Sequence, residues 1–306
     1  MPIDVISVES VDTLSFDLLV CSVGYEERSI FFAKRLKLNY KHLIGRVFSG
    51  NETHSFADNL KTFEKLGGVR LEEHDNLANI VRSLNPLWKS SGSRVALDIS
   101  SMSRSIMAKV LSELIDSDYF DGCQIYILYT PAKFTHPSSI VPDFIEFAPI
   151  PEFAGWTSAP EKPAVMVIGL GYETDQAIGA LEYLDPSATF VFIPVGGDDR
   201  FREVLLTANQ PLLEMIKPER LIEYSVADPT MTYWHLRSLV SSLIENTRIV
   251  LVPMGPKIFV SLCLACQREF GDEVSVWRSS GHTSTVAKDV ASSGIVSSFL
   301  IRRSAE

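Results

Sequence analysis

Two short segments of this chain set a cation at the spacing of a strand-to-helix turn, and one of them adds hydroxyls and a carboxylate. The first is Asp98-Ile99-Ser100-Ser101-Met102-Ser103-Arg104, which closes an apolar run and opens a helical pattern. Serines at such a place supply hydroxyls and a helix cap. Arginine sets a fixed positive charge near the amide-rich helix start. Together these groups could hold an anion. The second segment, Met254-Gly255-Pro256-Lys257, echoes it with glycine for close approach, proline for the first helical turn and lysine as the cation. Capping plus a surface cation explains the same residues without any ligand, and the sequence leaves both accounts open.

A second echo lies nearer each strand-helix start. Gly24-Tyr25-Glu26-Glu27-Arg28 and Gly171-Tyr172-Glu173-Thr174 each follow an apolar run, 147 positions apart. Glycine lets the chain turn sharply, and the exposed amides of a first helical turn can receive an anion. Glu26 and Glu173 could act as general bases, or could simply complement the helix dipole. Two polar loops follow the next strands. They are Ser49-Gly50-Asn51-Glu52-Thr53-His54 and Gly196-Gly197-Asp198-Asp199-Arg200-Phe201-Arg202, the latter placing arginines at a helix start, where they do not help the dipole.

Other motifs point away from cofactors and metals. Gly169-Leu170-Gly171 is followed by Thr174 rather than a third glycine, and the next strand ends in Gly196-Gly197 rather than an acid, so no dinucleotide cofactor is expected. Cys263 and Cys266 have redox or zinc spacing. They lie inside an apolar helical pattern with no second pair, which suits a core role, as do Cys21 and Cys123 in apolar strands. The six histidines show no metal-binding spacing, although His136 and His282 both follow a fifth strand.

The elements that must position these residues alternate. Apolar strand-like runs fall near 17–23, 43–48, 69–73, 94–99 and 123–130, and again near 164–169, 189–194, 220–226, 248–253 and 273–278. Helical patterns lie between them, near 27–38, 55–66, 76–88 and 103–117, and again near 174–184, 199–216, 230–245 and 256–270. This order predicts an α/β fold of two tandem Rossmann-like, doubly wound parallel-sheet domains related by internal duplication. The expected division is 1–150, a linker at 151–163 and 164–306. Four prolines between Ala148 and Pro163 mark the joint, where Trp156 is expected to pack. One extra strand, antiparallel at an edge, is expected at the end of each half, near 141–148 and 295–302.

Composition limits the partners. The 306 residues carry a formal net charge of −10, with 46% hydrophobic and 22% charged residues. No run of lysines and arginines offers a track for duplex nucleic acid. No apolar stretch approaches the roughly 20 residues of a membrane span, and no basic-then-apolar leader opens the chain, so a cytoplasmic location is expected. A homodimer, or a subunit within a multi-protein system, is compatible with all of this.

The strand ending in Asp98-Ile99-Ser100-Ser101-Met102-Ser103-Arg104 resembles the ligand-binding turn of CARF domains, and two such domains in one chain resemble the SAVED arrangement. The resemblance implies a Rossmann-like sensor of nucleotide-type ligands, cyclic oligonucleotides included, in prokaryotic antiviral systems. The Gly-Tyr-Glu turn is not part of that pattern, and no effector segment is evident. Three readings follow. In the first, a sensor binds a small anionic or nucleotide ligand through Gly24, Tyr25, Arg28, Ser100, Ser101, Ser103, Arg104, Gly171, Tyr172, Gly196, Gly197, Arg200, Gly255 and Lys257. In the second, an enzyme acts on such a ligand with Glu26, Glu27 or Glu173 as general base and Arg104 and Lys257 stabilising developing negative charge. In the third, a subunit of a larger complex carries vestigial pockets.

Overall fold

The computed structural model describes residues 3–48, 52–136, 144–155, 159–281 and 288–303. The chain divides into two compact units, one made of residues 2–133 with 287–306 and the other of 134–286, together with Met1. We call them the first and second domains and describe each by itself.

The first domain is built on a seven-stranded sheet. Its strands are β1 (Ile3–Ser7), β2 (Phe16–Val23), β3 (Tyr40–Val47), β4 (Val69–Arg70), β5 (Arg94–Asp98), β6 (Gln124–Tyr129) and a strand from the far end of the chain, Ser297–Arg303. From β6 across to β4 the order is β6-β5-β2-β3-β4, all parallel. The first strand of that series therefore sits mid-sheet and the winding reverses between β2 and β5. Helices α1 (Phe31–Arg35), α2 (Phe56–Lys65), α3 (Leu77–Leu84) and α4 (Arg104–Asp116) make the crossovers. Strand β2 is buried at seven of its eight positions, as a parallel strand covered on both faces must be. Phe63, fully buried, fits beneath the sheet because Gly45 and Gly68 leave room for its ring.

The second domain repeats the plan. Strand β7 (Phe144–Pro149) is followed by β8 (Ala164–Gly169), β9 (Ala188–Val195), β10 (Leu221–Ser225), β11 (Arg248–Pro253) and β12 (Val274–Gly281). The Ser297–Arg303 strand is β13. The order is β10-β9-β8-β11-β12-β7, parallel except that β7 runs antiparallel beside β12. Helices α5 (Gln176–Leu184), α6 (Asp199–Ala208), α7 (Gln210–Met215), α8 (Pro229–Leu243) and α9 (Lys257–Phe270) complete it. Both domains are thus α/β, with a Rossmann-like reversal between the first and fourth parallel strands.

The expected extra strands exist and are antiparallel, but each belongs to the other half of the sequence. Strand β7 completes the second sheet, and β13 inserts between β1 and β6 of the first. The units therefore change over near 133/134 and 286/287 rather than at 150 and 164. The proline-rich joint from Ala148 to Pro163 begins inside strand structure, with Ala148 and Pro149 pairing to Arg278 and Trp277. Trp156 lies outside the described residues, as do Ser49, Gly50, Asn51 and His282. No helix among the described residues is long and apolar enough to cross a membrane.

The cysteines are buried in the two cores, Cys21 and Cys123 in the first and Cys263 and Cys266 within α9. Burial pushes every one of these thiols up, Cys123 to about 12 and the others beyond the range in which a thiolate forms in neutral solution. At pH 8 the native protein is expected to react with no equivalent of an aromatic disulfide reagent within minutes, and with four after denaturation in guanidinium. Rapid labelling of any thiol in the native state would contradict this burial.

Candidate functional site

The reversal of winding in each sheet places two strand-to-helix turns side by side at the carboxyl ends of the strands, where open α/β sheets gather ligands. In the first domain these turns follow β2 and β5, in the second β8 and β11. All four echoed segments of the sequence fall there.

Three devices recur in both domains. The first is a buried asparagine that holds the glycine turn. Asn59 of α2 donates to the carbonyls of Gly24 (2.9 Å) and Glu26 (2.8 Å), and Asn209, after α6, donates to those of Gly171 (2.7 Å) and Leu205 (2.8 Å). Both are under 4% exposed, so these bonds are shielded from water. The second device is a tyrosine resting against an aromatic residue that follows the second parallel strand. Tyr25 lies 6.4 Å from the His54 ring and Tyr172 lies 6.3 Å from that of Phe201. The third is a cation as the first residue of the helix after the fourth parallel strand. Arg104 opens α4 and Lys257 opens α9.

Several expected ligand contacts have structural duties. Ser103 caps α4 by accepting from the amide of Ile106 (3.2 Å). Ser100 is fully buried, and its hydroxyl accepts from the Thr130 amide (3.0 Å), tying the turn after β5 to the end of β6. Ser101 has a buried hydroxyl oxygen with no hydrogen-bonding partner among the described residues. Asp98, 1% exposed, accepts from the Ser100 amide (2.9 Å). Arg28 is 8% exposed, pairs with Glu26 at 2.7 Å and donates to the Thr130 carbonyl at 3.0 Å. Burial opposes its charge. The Glu26 carboxylate and the Tyr129 hydroxyl beside it more than offset that, so the guanidinium holds its proton more tightly than usual.

The turns of the second domain touch backbone to backbone. A methyl group on Gly171 would stand 2.7 Å from the Met254 carbonyl oxygen, and one on Gly255 would overlap the Leu170 carbonyl. Asp175, which precedes α5, is held at φ 65°, a left-handed conformation uncommon outside glycine. Glu173 folds back so that a carboxylate oxygen lies beside Gly171. Arg200 is exposed, paired through both carboxylate oxygens with Asp198 (2.9 and 2.6 Å), and lies over the Phe134 ring at 4.7 Å. Gly196 and Gly197 are exposed in the same loop.

Sequence reasoning did not find Asn59, Asn209 or Asp289. Asp289 precedes β13 and brings its carboxylate to the turn after β2, where Oδ1 accepts from the Glu27 amide (2.7 Å) and Oδ2 from the Ser55 hydroxyl (2.5 Å). No group of three or more histidine, cysteine, aspartate or glutamate side chains among the described residues is placed to hold a metal ion.

No protein-family model matches the chain, and no curated protein does. Among solved structures, it is similar to the cytoplasmic domain of a prokaryotic cation chloride cotransporter at 9% identity, over 87% of this chain and 95% of that one, with a TM-score of 0.23. A likeness that slight says nothing of function, and the class of the protein rests on its own topology.

Proposed function

We propose that the protein is a binding module, a sensor or regulator that takes a small anionic ligand of nucleotide type at the carboxyl ends of its Rossmann-like sheets. The observation that carries this reading is the recurrence in both domains of the asparagine-held glycine turn, the tyrosine and the helix-opening cation. Packing alone needs none of these to recur together at the point where winding reverses. Backbone amides would receive the anion, and Arg104 and Lys257 would set its charge. Glu26 is drawn into its pair with Arg28, which favours binding over base catalysis.

The test is calorimetry with a panel of mononucleotides and cyclic dinucleotides. Wild type is expected to bind at least one of them, and Arg104→Ala with Lys257→Ala to weaken it about tenfold or more, as for loss of a charge-assisted contact. Equal affinities would sink the assignment. Mass spectrometry of the incubated nucleotide should return it unchanged; turnover would favour an enzyme.

A further inference from the structure

We infer that the second domain is the half that binds, and that its ligand presents a planar aromatic ring beside its anionic group, whereas the first domain's turn is closed by the chain's own carboxylate. This rests on the anion-binding reading above and narrows it.

In the first domain the groups of the turn after β2 that could receive an anion are already engaged. Asp289 takes the Glu27 amide and the Ser55 hydroxyl. The Val290 carbonyl accepts from the Arg28 amide at 3.3 Å. The segment then runs on across the end of the sheet. Ala291 accepts from the Lys133 amide at 2.9 Å, the Ser292 and Thr130 hydroxyls meet at 2.6 Å, and Ser293 donates to the Pro131 carbonyl at 2.9 Å. The strap thus spans from the turn after β2 to the end of β6. Beneath it the Arg28 guanidinium is committed to Glu26 and to Thr130.

The second domain offers the reverse. Tyr172 is 39% exposed, against a half-buried Tyr25. Its ring begins a surface cluster that continues through Phe201 to Phe134, 5.0 Å further on. Arg200 lies over Phe134, its fork aligned by Asp198, with 66% of its side chain exposed. An exposed tyrosine ring, continued by two half-buried phenylalanine rings beside an oriented guanidinium, suits a flat, electron-rich ring and an attached anion, and a nucleobase stacked on such a ring commonly gains tenfold or more in affinity. The cluster stands beyond β8 and β9, beside the turn that Gly171 and Gly255 hold tight.

Adenosine 5′-monophosphate and ribose 5-phosphate, titrated into the whole protein by calorimetry, separate these ideas. Expected are one monophosphate per chain, bound about tenfold or more tightly than ribose 5-phosphate, and loss of that advantage in both Tyr172→Ala and Phe201→Leu. Trp234→Ala, an exposed aromatic elsewhere on the same domain, should leave it intact. Lys257→Ala alone should reproduce the loss of the double cation variant. If Phe201→Leu fails to fold, as a melting curve would show, the exposed Tyr172 still decides. Ribose 5-phosphate binding as tightly as the nucleotide overturns the ring while leaving the anion reading standing. Two nucleotides per chain overturn the choice of domain. Binding of neither compound overturns this inference, and the proposed function falls with it only if the cyclic dinucleotides of the panel also fail to bind.

Discussion

Gly255→Ala is expected to destabilise the second domain by about 3 kcal/mol, at the upper end of what overpacking costs. The added methyl would overlap the Leu170 carbonyl oxygen and stand 3.1 Å from its carbon, and neither can rotate away as a side chain can. The turns after β8 and β11 would have to separate, and with them the ends of two adjacent central strands. Gly24→Ala in the first domain provides the contrast. Its methyl would meet only the edge of the Phe48 ring at 3.5 Å, an ordinary contact, so a change within about 1 kcal/mol is expected. Denaturant unfolding followed by tryptophan fluorescence measures both, with separate transitions allowed for the two domains. A Gly255→Ala protein as stable as wild type would mean that the two turns are not in contact.

The second large effect concerns the buried ion pair. Glu26→Ala would leave the Arg28 guanidinium, 8% exposed, without its carboxylate, and breaking such a pair costs about 3–5 kcal/mol. Replacing both partners with apolar residues, Glu26→Leu with Arg28→Met, should recover most of the loss, because no charge is then stranded. The double-variant cycle distinguishes a stranded charge from a generic packing loss: additive effects would show that the two side chains are energetically independent. A ligand-contacting Arg28 would behave differently, with stability little changed by Glu26→Ala and binding strongly affected.

These expectations draw unevenly on the sequence. The central parallel strands were legible because a strand buried on both faces is a nearly unbroken apolar run, as in Ala164–Gly169, whereas the edge strands β4 and β10 are partly exposed and carry a weaker signal. Strand Ile3–Ser7 was missed: it is an edge strand of alternating burial, next to β13, and too short for its period to stand out. The long helix expected near 199–216 is two helices, parted at Asn209 and restarted with Pro211. Residues near 27–30 form a tight 3-10 turn before a short α1, where a single helix was expected. Strand β13 was placed in the wrong domain because periodicity reports that a strand exists and not which neighbour it joins.

At the site, the glycine turns and the cations were visible as repeated letters. Asn59, Asn209 and Asp289 were not, since each acts mainly on backbone groups, which leave no signature in the sequence. A buried asparagine some 35–38 residues beyond each glycine is the one clue that a search for repeats could have caught. The serine hydroxyls also carry duties that their spacing does not reveal: Ser103 caps a helix and Ser100 joins two strand ends.

The seat of β13 between β1 and β6 bears on how the protein is made. On the ribosome the first domain emerges early but lacks an interior strand until synthesis has passed Arg303. Until then β6 presents an unpaired edge, a template for another chain. The second domain, whose residues run from 134 to 286, is whole before the first can close. The first sheet can therefore be completed only after the residues of the second domain have been made, and a chain cut short after them would lack β13 while holding every strand of the second sheet.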